Sequence, residues 1–574
     1  MGRFCAMSAE RERLNVVLCW HMHQPYYKGP EQSDYHLPWV YLHGIKDYSD
    51  MAAHLEYNPD ARAVVNFAPV LLEQIDDYAG QTRDWLEKGT LIRDPLLAAL
   101  AGPGLPLDLE SRTELISACL RANERHLIKR HKPFERLAEL ARRMLEDDQY
   151  VSYLNDQFLA DLLIWYHLAW IGECLRDPDI RVRSLQAKGH GYSVADRRAL
   201  VELISEVLGG IAERYRKLAK SGRVELSVTP YAHPIMPLLV EMDSAKEALP
   251  KVEMPQLADY PGGEARARWH IRKGVEVFES HFGFRPNGCW PSEGAVSEPT
   301  LKLLEEEGFR WAATGQQVLH NSLCAAGKGD QLPDNWVHSA YRIHDGSVNL
   351  FFRDDGLSDL IGFTYGDWHA DDAVGDLIGH LENIADSCRG NPSALVSIIM
   401  DGENAWEYYP SNGSYFLATL YERLAAHPRL RMTTFSDYLS EHRDASPRLS
   451  SLVAGSWVYG TFSTWIGDKD KNRAWEMLAD AKRAYDRVIT AGSFAQDELA
   501  ELERQLAICE GSDWFWWFGD YNPGDTVSDF EKLFRRQLAH LYELLGEAEP
   551  DYLSQVFASG SGDPALGGVM KKSD

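Results

Sequence analysis

No two of the eight cysteines (Cys5, Cys19, Cys119, Cys174, Cys289, Cys324, Cys388, Cys509) form a CxxC pair, and they are scattered along the chain. That argues against a disulfide frame and for reduced thiols. No stretch approaches the ~20 apolar residues a membrane span needs. The first residues, MGRFCAMSAERERLN, have no apolar run before their charges, so no secretory signal is visible and a cytoplasmic protein is expected. Positive charge is in deficit: 59 Lys and Arg against 86 Asp and Glu leave a net charge of −27. Nucleic acid and anionic membrane would be repelled, while a neutral substrate would not. HExxH is absent, Gly327-Lys328-Gly329 lacks the rest of a P-loop, and Gly189-His190-Gly191 lacks a dinucleotide fingerprint. Nucleotide binding therefore has no support, and no cofactor is expected. No repeat at a solenoid period is evident.

Aromatic residues are what the chain has in excess. Its 17 Trp and 26 Tyr cluster instead of spreading. Such rings stack on sugar faces while their polar edges stay wet. At 574 residues the chain is too long for one ordinary core, so two domains or one large barrel with additions are expected.

Seven short apolar runs read as buried strands: 14–20 (LNVVLCW), 63–67 (AVVNF), 224–229 (VELSVT), 288–290 (GCW), 310–314 (RWAAT), 348–353 (VNLFFR) and 394–400 (ALVSIIM). Helical patterns separate them. A long helical region spans about 71–218, most clearly over 133–145 and 154–175, and further helices fit 265–282 and 298–307. Strands alternating with helices imply an α/β fold with a parallel sheet. His21, His23, His233, Glu293, Asp354 and Asp401 all fall just after strand ends, which share one mouth in a parallel barrel. The reading is a catalytic barrel domain over 14–445 with the helical stretch as an insert. A small helical domain follows over 446–550, with helices at 472–490, 498–509 and 528–545 and aromatic-rich stretches at 455–467 and 511–525. Residues 551–574 read as a loose tail.

Glu293 and Asp401 lead the candidate chemistry. Glu293 sits among small residues in GCWPSEGAVS, which leaves room for a substrate, and Asp401 opens DGENAWEYYP after an apolar run. A carboxylate pair is what glycosidic cleavage needs: one group attacks the anomeric carbon, the other protonates the leaving oxygen. The same acids could also be ordinary carboxylates at helix N-termini. His21, His23 and His233 could ligate a metal, bond sugar hydroxyls, or be satisfied core histidines. The sugar reading is favoured over metal because no HExxH or cysteine ligand set accompanies them. Trp457 and Trp465 lie among glycines, where a sugar platform fits, whereas packing is favoured for Trp514, Trp516 and Trp517. Asp468 to Asn472 mimics the start of a calcium loop, but Arg473 stands where glycine is required and Ala479 where a bidentate Glu belongs. It reads as the start of a helix.

With these motifs assembled, the chain resembles glycoside hydrolase family 57, in particular its α-amylase and amylopullulanase-type members. The likeness rests on HMHQPYY (21–27), ELSVTPYAHPIMPLL (225–239), GCWPSEGAVS (288–297), MDGENAWEYYP (400–410) and GSWVYGTFSTWIG (455–467). FRDDGLSDLIGF (352–363) and GSDWFWWFGD (511–520) add to it. The resemblance implies an incomplete seven-stranded (β/α) barrel followed by a helical bundle, acting on α-glucans such as starch, glycogen or maltodextrin with retention of configuration. It implies cleavage of α-1,4 bonds and, in some members, α-1,6 bonds. Carried onto matching positions, Glu293 is the nucleophile and Asp401 the general acid/base, while His21, His23, His233, Trp290, Trp406 and Trp465 line glucan subsites. No metal is implied. One departure stands in GFRWAATGQQ (308–317), where Gly315 and Gln316 replace an Asp-Glu pair of related chains. A 4-α-glucanotransferase or branching enzyme would use the same pair with a sugar hydroxyl in place of water. A metal-dependent carbohydrate deacetylase and a non-catalytic glucan-binding protein are the readings from other classes.

Overall fold

The computed structural model describes residues 13–562 except 31–33, 258, 330, 331, 333, 334, 443 and 444; Cys5 and the last part of the expected tail, 563–574, lie outside the described residues. Eight parallel strands build the main sheet: β1 (Leu14–Met22), β2 (Ala63–Phe67), β3 (Val224–Val228), β4 (Gly288–Cys289), β5 (Trp311–Gly315), β6 (Asn349–Arg353), β7 (Leu395–Asp401) and β8 (Leu430–Met432). Their spatial order is β2-β3-β4-β5-β6-β7-β1-β8, and a β1–β2 pairing closes a ring of seven. β7 runs along one edge of β1 from Asn15 to His21. On the other edge β8 pairs with Leu14–Val16 and β2 with Cys19–Met22, so β8 is a wedge at the bottom of a seven-stranded barrel. Two seams are thin: β3 meets β4 only at Val228 and Cys289, and β6 meets β7 only at Arg353 and Ser397.

Alternation along the strands decides what faces inward. Val17 and Cys19 of β1 and Leu395 and Ile399 of β7 share an interior cluster with Trp290, Trp311 and Phe351. Two residues further along the same faces come His21 and Asp401, which pair across the β1–β7 register. Strand periodicity alone thus carries both to the inside of the mouth.

Between β2 and β3 the chain forms the helical layer, from Pro69–Lys88 to Val194–Lys220. Pro69 starts the first helix and Gly89, with φ 72°, ends it in the left-handed conformation. A Ser193–Asp196 capping box starts the last. Asp156–Trp170 is buried nearly all round, which marks it as the centre of this layer. After the barrel come Lys469–Ala491, Gln496–Cys509 and Gly524–Leu544, with a short helix Ser512–Trp517 between the last two. Asp468 is the N-cap of the first of these. Glu510, fully buried, ties this part to the barrel helix Gly263–Phe282: it accepts from Arg266, His270 and Tyr260 at 2.7–3.0 Å. Burial would raise its pKa, but Arg266 and His270 outweigh that and hold it at about 2. Within residues 551–562, Leu553 and Ala558 are buried. Among the described residues no helix is long and apolar enough to cross a membrane.

Candidate active site

β4 is only two residues long, and the backbone then turns sharply: Glu293 has φ 56° and ψ 23°, and Gly294 has φ 59°. A non-glycine residue in the left-handed region costs on the order of 1–3 kcal/mol and persists only where its surroundings enforce it. Here the enforcement comes from Trp457. Its backbone N–H donates to the Glu293 carbonyl at 3.1 Å, and its indole Nε1–H donates to Glu293 Oε2 at 2.9 Å. Trp457 is itself clamped, edge-on to Trp290 at 5.2 Å and beneath the Arg353 guanidinium at 5.5 Å. Gly315 makes room for it, because a Cβ there would lie 2.6 Å from Trp457 Cα. The departure noted at residue 315 therefore has a steric reason.

Asp401 ends β7 and receives a 2.9 Å hydrogen bond from Asn404 Nδ2. Burial raises its pKa against the opposing pull of Asn404, His23 and Arg353. Beside it lies Glu403, which the sequence reading did not single out. Its Oε1 accepts from the His23 backbone N–H at 3.3 Å and from Gln24 Nε2 at 3.2 Å. Burial, with the charges of Asp401 and Asp47, pushes Glu403 well above the usual carboxylate range. The DGE triplet was its only signal, and a triplet does not reveal that the third residue is buried.

The histidines form a relay. Thr229 Oγ1 donates to Asn66 Oδ1 at 2.7 Å and Asn66 Nδ2 donates to Ser227 Oγ at 3.0 Å, so Asn66 turns its oxygen to His21 Nδ1 at 2.7 Å. This network assigns the proton of neutral His21 to Nδ1, and its Nε2 then accepts from His233 Nε2 at 3.2 Å. His233 Nδ1 in turn accepts from Ser512 Oγ at 2.8 Å. Burial, reinforced by His23, lowers His21 to about 3 and His233 well below its ordinary value, so both are neutral. His23 bonds Asp513 through Nε2 at 2.8 Å and stacks on His233 with ring centroids 3.8 Å apart. The trio offers nitrogens within 4.8 Å of one another. In this arrangement the Nε2 atoms of His21 and His233 face each other and share a hydrogen bond, while His23 Nε2 faces Asp513. As placed, His21 and His233 form a hydrogen-bond relay, and His23 stacks against it.

Glu293, Asp401, Glu403, His21, His23, Asn404 and Trp457 line one pocket at the barrel mouth, with Gln24, Pro25, Tyr27, Asp513, Trp516 and Trp517 completing its wall. The expectation that His21 and His233 bond sugar hydroxyls meets ring nitrogens already engaged; His23 Nδ1 alone has no protein partner. Trp516 and Trp517, for which packing was favoured, stand in the wall. Trp290, Trp406 and Trp465 were expected in subsites and are instead fully buried. Trp290 supports Trp457, Trp406 packs edge-on to Trp20 at 5.8 Å, and Trp465 backs Trp516 at 6.0 Å. Asp354 lies at a strand end but caps the helix Asp355–Asp359 and bonds His338 at 3.1 Å, outside the pocket wall.

The family profile described as "Glycosyl hydrolase family 57" matches residues 17–447. No curated protein matches the chain by sequence. Three solved structures share the fold. A GH57 branching enzyme from Thermococcus kodakaraensis is 17% identical, with 92% of this chain and 89% of that one covered and a TM-score of 0.55. The α-amylase AmyC from Thermotoga maritima is 15% identical, with 94% and 96% covered and a TM-score of 0.55. A 4-α-glucanotransferase from Thermococcus litoralis is 13% identical, with 94% and 60% covered and a TM-score of 0.50.

Proposed function

Because the chain belongs to glycosyl hydrolase family 57, we propose that it cleaves α-1,4-glucosidic bonds of α-glucans by double displacement, with Glu293 as nucleophile and Asp401 as general acid/base. The observation that carries this reading is that both carboxyls line one aromatic-walled pocket while their surroundings differ. Glu293 is held in one orientation by the Trp457 indole. Asp401 is half-buried, and this desolvation favours its protonated form, which suits the group that must first give a proton. In the first step Glu293 attacks the anomeric carbon and Asp401 protonates the departing oxygen. In the second, Asp401 takes a proton from the incoming hydroxyl as it displaces Glu293, restoring the starting configuration. Trp457, Trp516, Trp517 and His23 hold the glucosyl units, and the relay of His21 and His233 keeps the floor neutral.

Water is the proposed acceptor, with α-1,6 bonds as a further target. The branching enzyme, α-amylase and glucanotransferase that share the fold make transfer to a sugar hydroxyl the second reading. Incubation with maltooligosaccharides and pullulan tests both. Reducing ends that rise in step with cleavage support hydrolysis, and disproportionation without them supports transfer. Inertness toward every α-glucan would overturn the proposal.

A further inference from the structure

Of 17 tryptophans, one is exposed among the described residues: Trp368, at 44%. It has company. Phe363, on the same segment after β6, and Tyr408, on the segment after β7, are also exposed, at 41% and 51%. Segments that follow the strands of a parallel barrel lie at its mouth. These two touch: a Cβ on Gly366 would lie 3.0 Å from the Tyr408 carbonyl oxygen, and the Tyr409 hydroxyl donates to the Ile361 carbonyl at 2.6 Å. Beneath them the space is full. Tyr365 meets Trp368 edge-on at 5.3 Å and Phe416 at 6.1 Å, and Phe416 packs on Tyr409 at 5.3 Å. Trp368 thus rests on an aromatic base.

The turn that carries Tyr408 also lines the catalytic pocket. Asn404, in the pocket wall, and Tyr408 are the two ends of one 3-10 turn, about 8 Å apart along its axis. Asp367, next to Trp368 in the chain, is paired with Arg125 at 2.5 Å, and the negative charge of Glu407 acts on Tyr408, so the patch suits a ligand without negative charge. Flat apolar faces with polar edges match the faces and rims of sugar rings.

We propose that Phe363, Trp368 and Tyr408 form a glucan-holding platform outside the catalytic pocket, which takes the part of a polymeric α-glucan that extends beyond it. This rests on the α-glucan reading of the pocket. Exposed aromatic residues on two touching segments could instead receive a protein, and the test separates the two.

The test is native-gel retardation of the full chain by glycogen and by soluble amylose, with Glu293→Gln as the parent to prevent digestion. Trp368→Ala and Tyr408→Ala are each expected to weaken retardation roughly three- to tenfold, and Trp368→Phe to retain it. With Glu293 intact, both variants should cleave maltotriose at the wild-type kcat/KM. Retardation equal to the parent's overturns the platform and leaves a protein-binding patch. Equal loss on short and long substrates also overturns it, because the rings would then be supporting the pocket. If the wild-type protein neither cleaves nor binds any α-glucan, the pocket reading falls and takes the platform with it.

Discussion

The indole nitrogen of Trp457 lies 2.9 Å from the Glu293 carboxylate although 164 residues separate the two. This hydrogen bond runs from an aromatic loop beyond the barrel to the turn after β4, and it fixes the atom proposed to attack the sugar. Trp457→Phe keeps the ring and removes the donor. A hydrogen bond to a charged group contributes about 1.5–3 kcal/mol, so kcat should fall roughly ten- to a hundredfold. A thermal unfolding midpoint close to wild type, read alongside steady-state kinetics, would show that the loss is chemical and not structural.

The two carboxyls should differ under rescue. Asp401→Asn is expected to lower kcat by roughly 10²–10⁴-fold, and Glu293→Gln by at least as much. Azide should restore turnover of an activated substrate to Glu293→Ala with an inverted glycosyl azide as product, and to Asp401→Ala with a retained one. Product configuration is read by NMR; near wild-type turnover in either single variant would sink the assignment. Since burial raises Asp401, the alkaline limb of kcat/KM should lie above its ordinary carboxyl range, with activity lost as pH rises through it.

Gly315→Ala should damage the site more than its size suggests. The added Cβ would meet Trp457 Cα, a backbone atom that cannot swing aside, at 2.6 Å. Overpacking of this kind costs about 1–3 kcal/mol, and the shift of Trp457 should carry most of the activity away with it. Gly308→Ala is the control: its positive φ brings backbone strain, but nothing lies within 4 Å of the new Cβ, so stability should fall while kcat holds.

Acid should unfold the protein partly through its buried relay. His21 titrates at its ordinary 6.5 in the unfolded chain and at about 3 when folded. As pH falls, the unfolded chain takes up the proton first, so stability is full above 6.5 and drains away toward 3. Urea midpoints measured between pH 7 and pH 4 should fall, and His21→Gln should make the fall shallower.

Treatment with a chelator should leave turnover unchanged, because His21 and His233 spend their ring nitrogens on each other, Asn66 and Ser512. Activity lost on chelation and restored by zinc would mean that the three rings rearrange around an ion, and would favour the deacetylase reading.

The seven barrel strands were legible because each is a short apolar run between helical patterns. The eighth strand of the sheet, Leu430–Met432, is three residues whose partner, the start of β1, is more than 400 residues away in the chain. The tryptophans show the same division. Composition marks them all alike, yet Trp465 is sealed behind Trp516 while Trp516 faces the pocket. Exposure belongs to whatever packs on a ring, not to the ring.

What the sequence by itself determined was the parallel barrel, the strand ends and the two carboxyls. Strand period is local, and it alone carries Val17 and Cys19 on to His21, and Leu395 and Ile399 on to Asp401. Only the tertiary structure decided the conformation of Glu293, whose φ of 56° nothing in a glutamate announces. It also decided the proton positions of the relay and the supply of Ser512, Asp513, Trp516 and Trp517 to a site built mainly by strands more than a hundred residues earlier. Such choices rest on contacts between segments remote in the chain, and no local preference of the backbone encodes them.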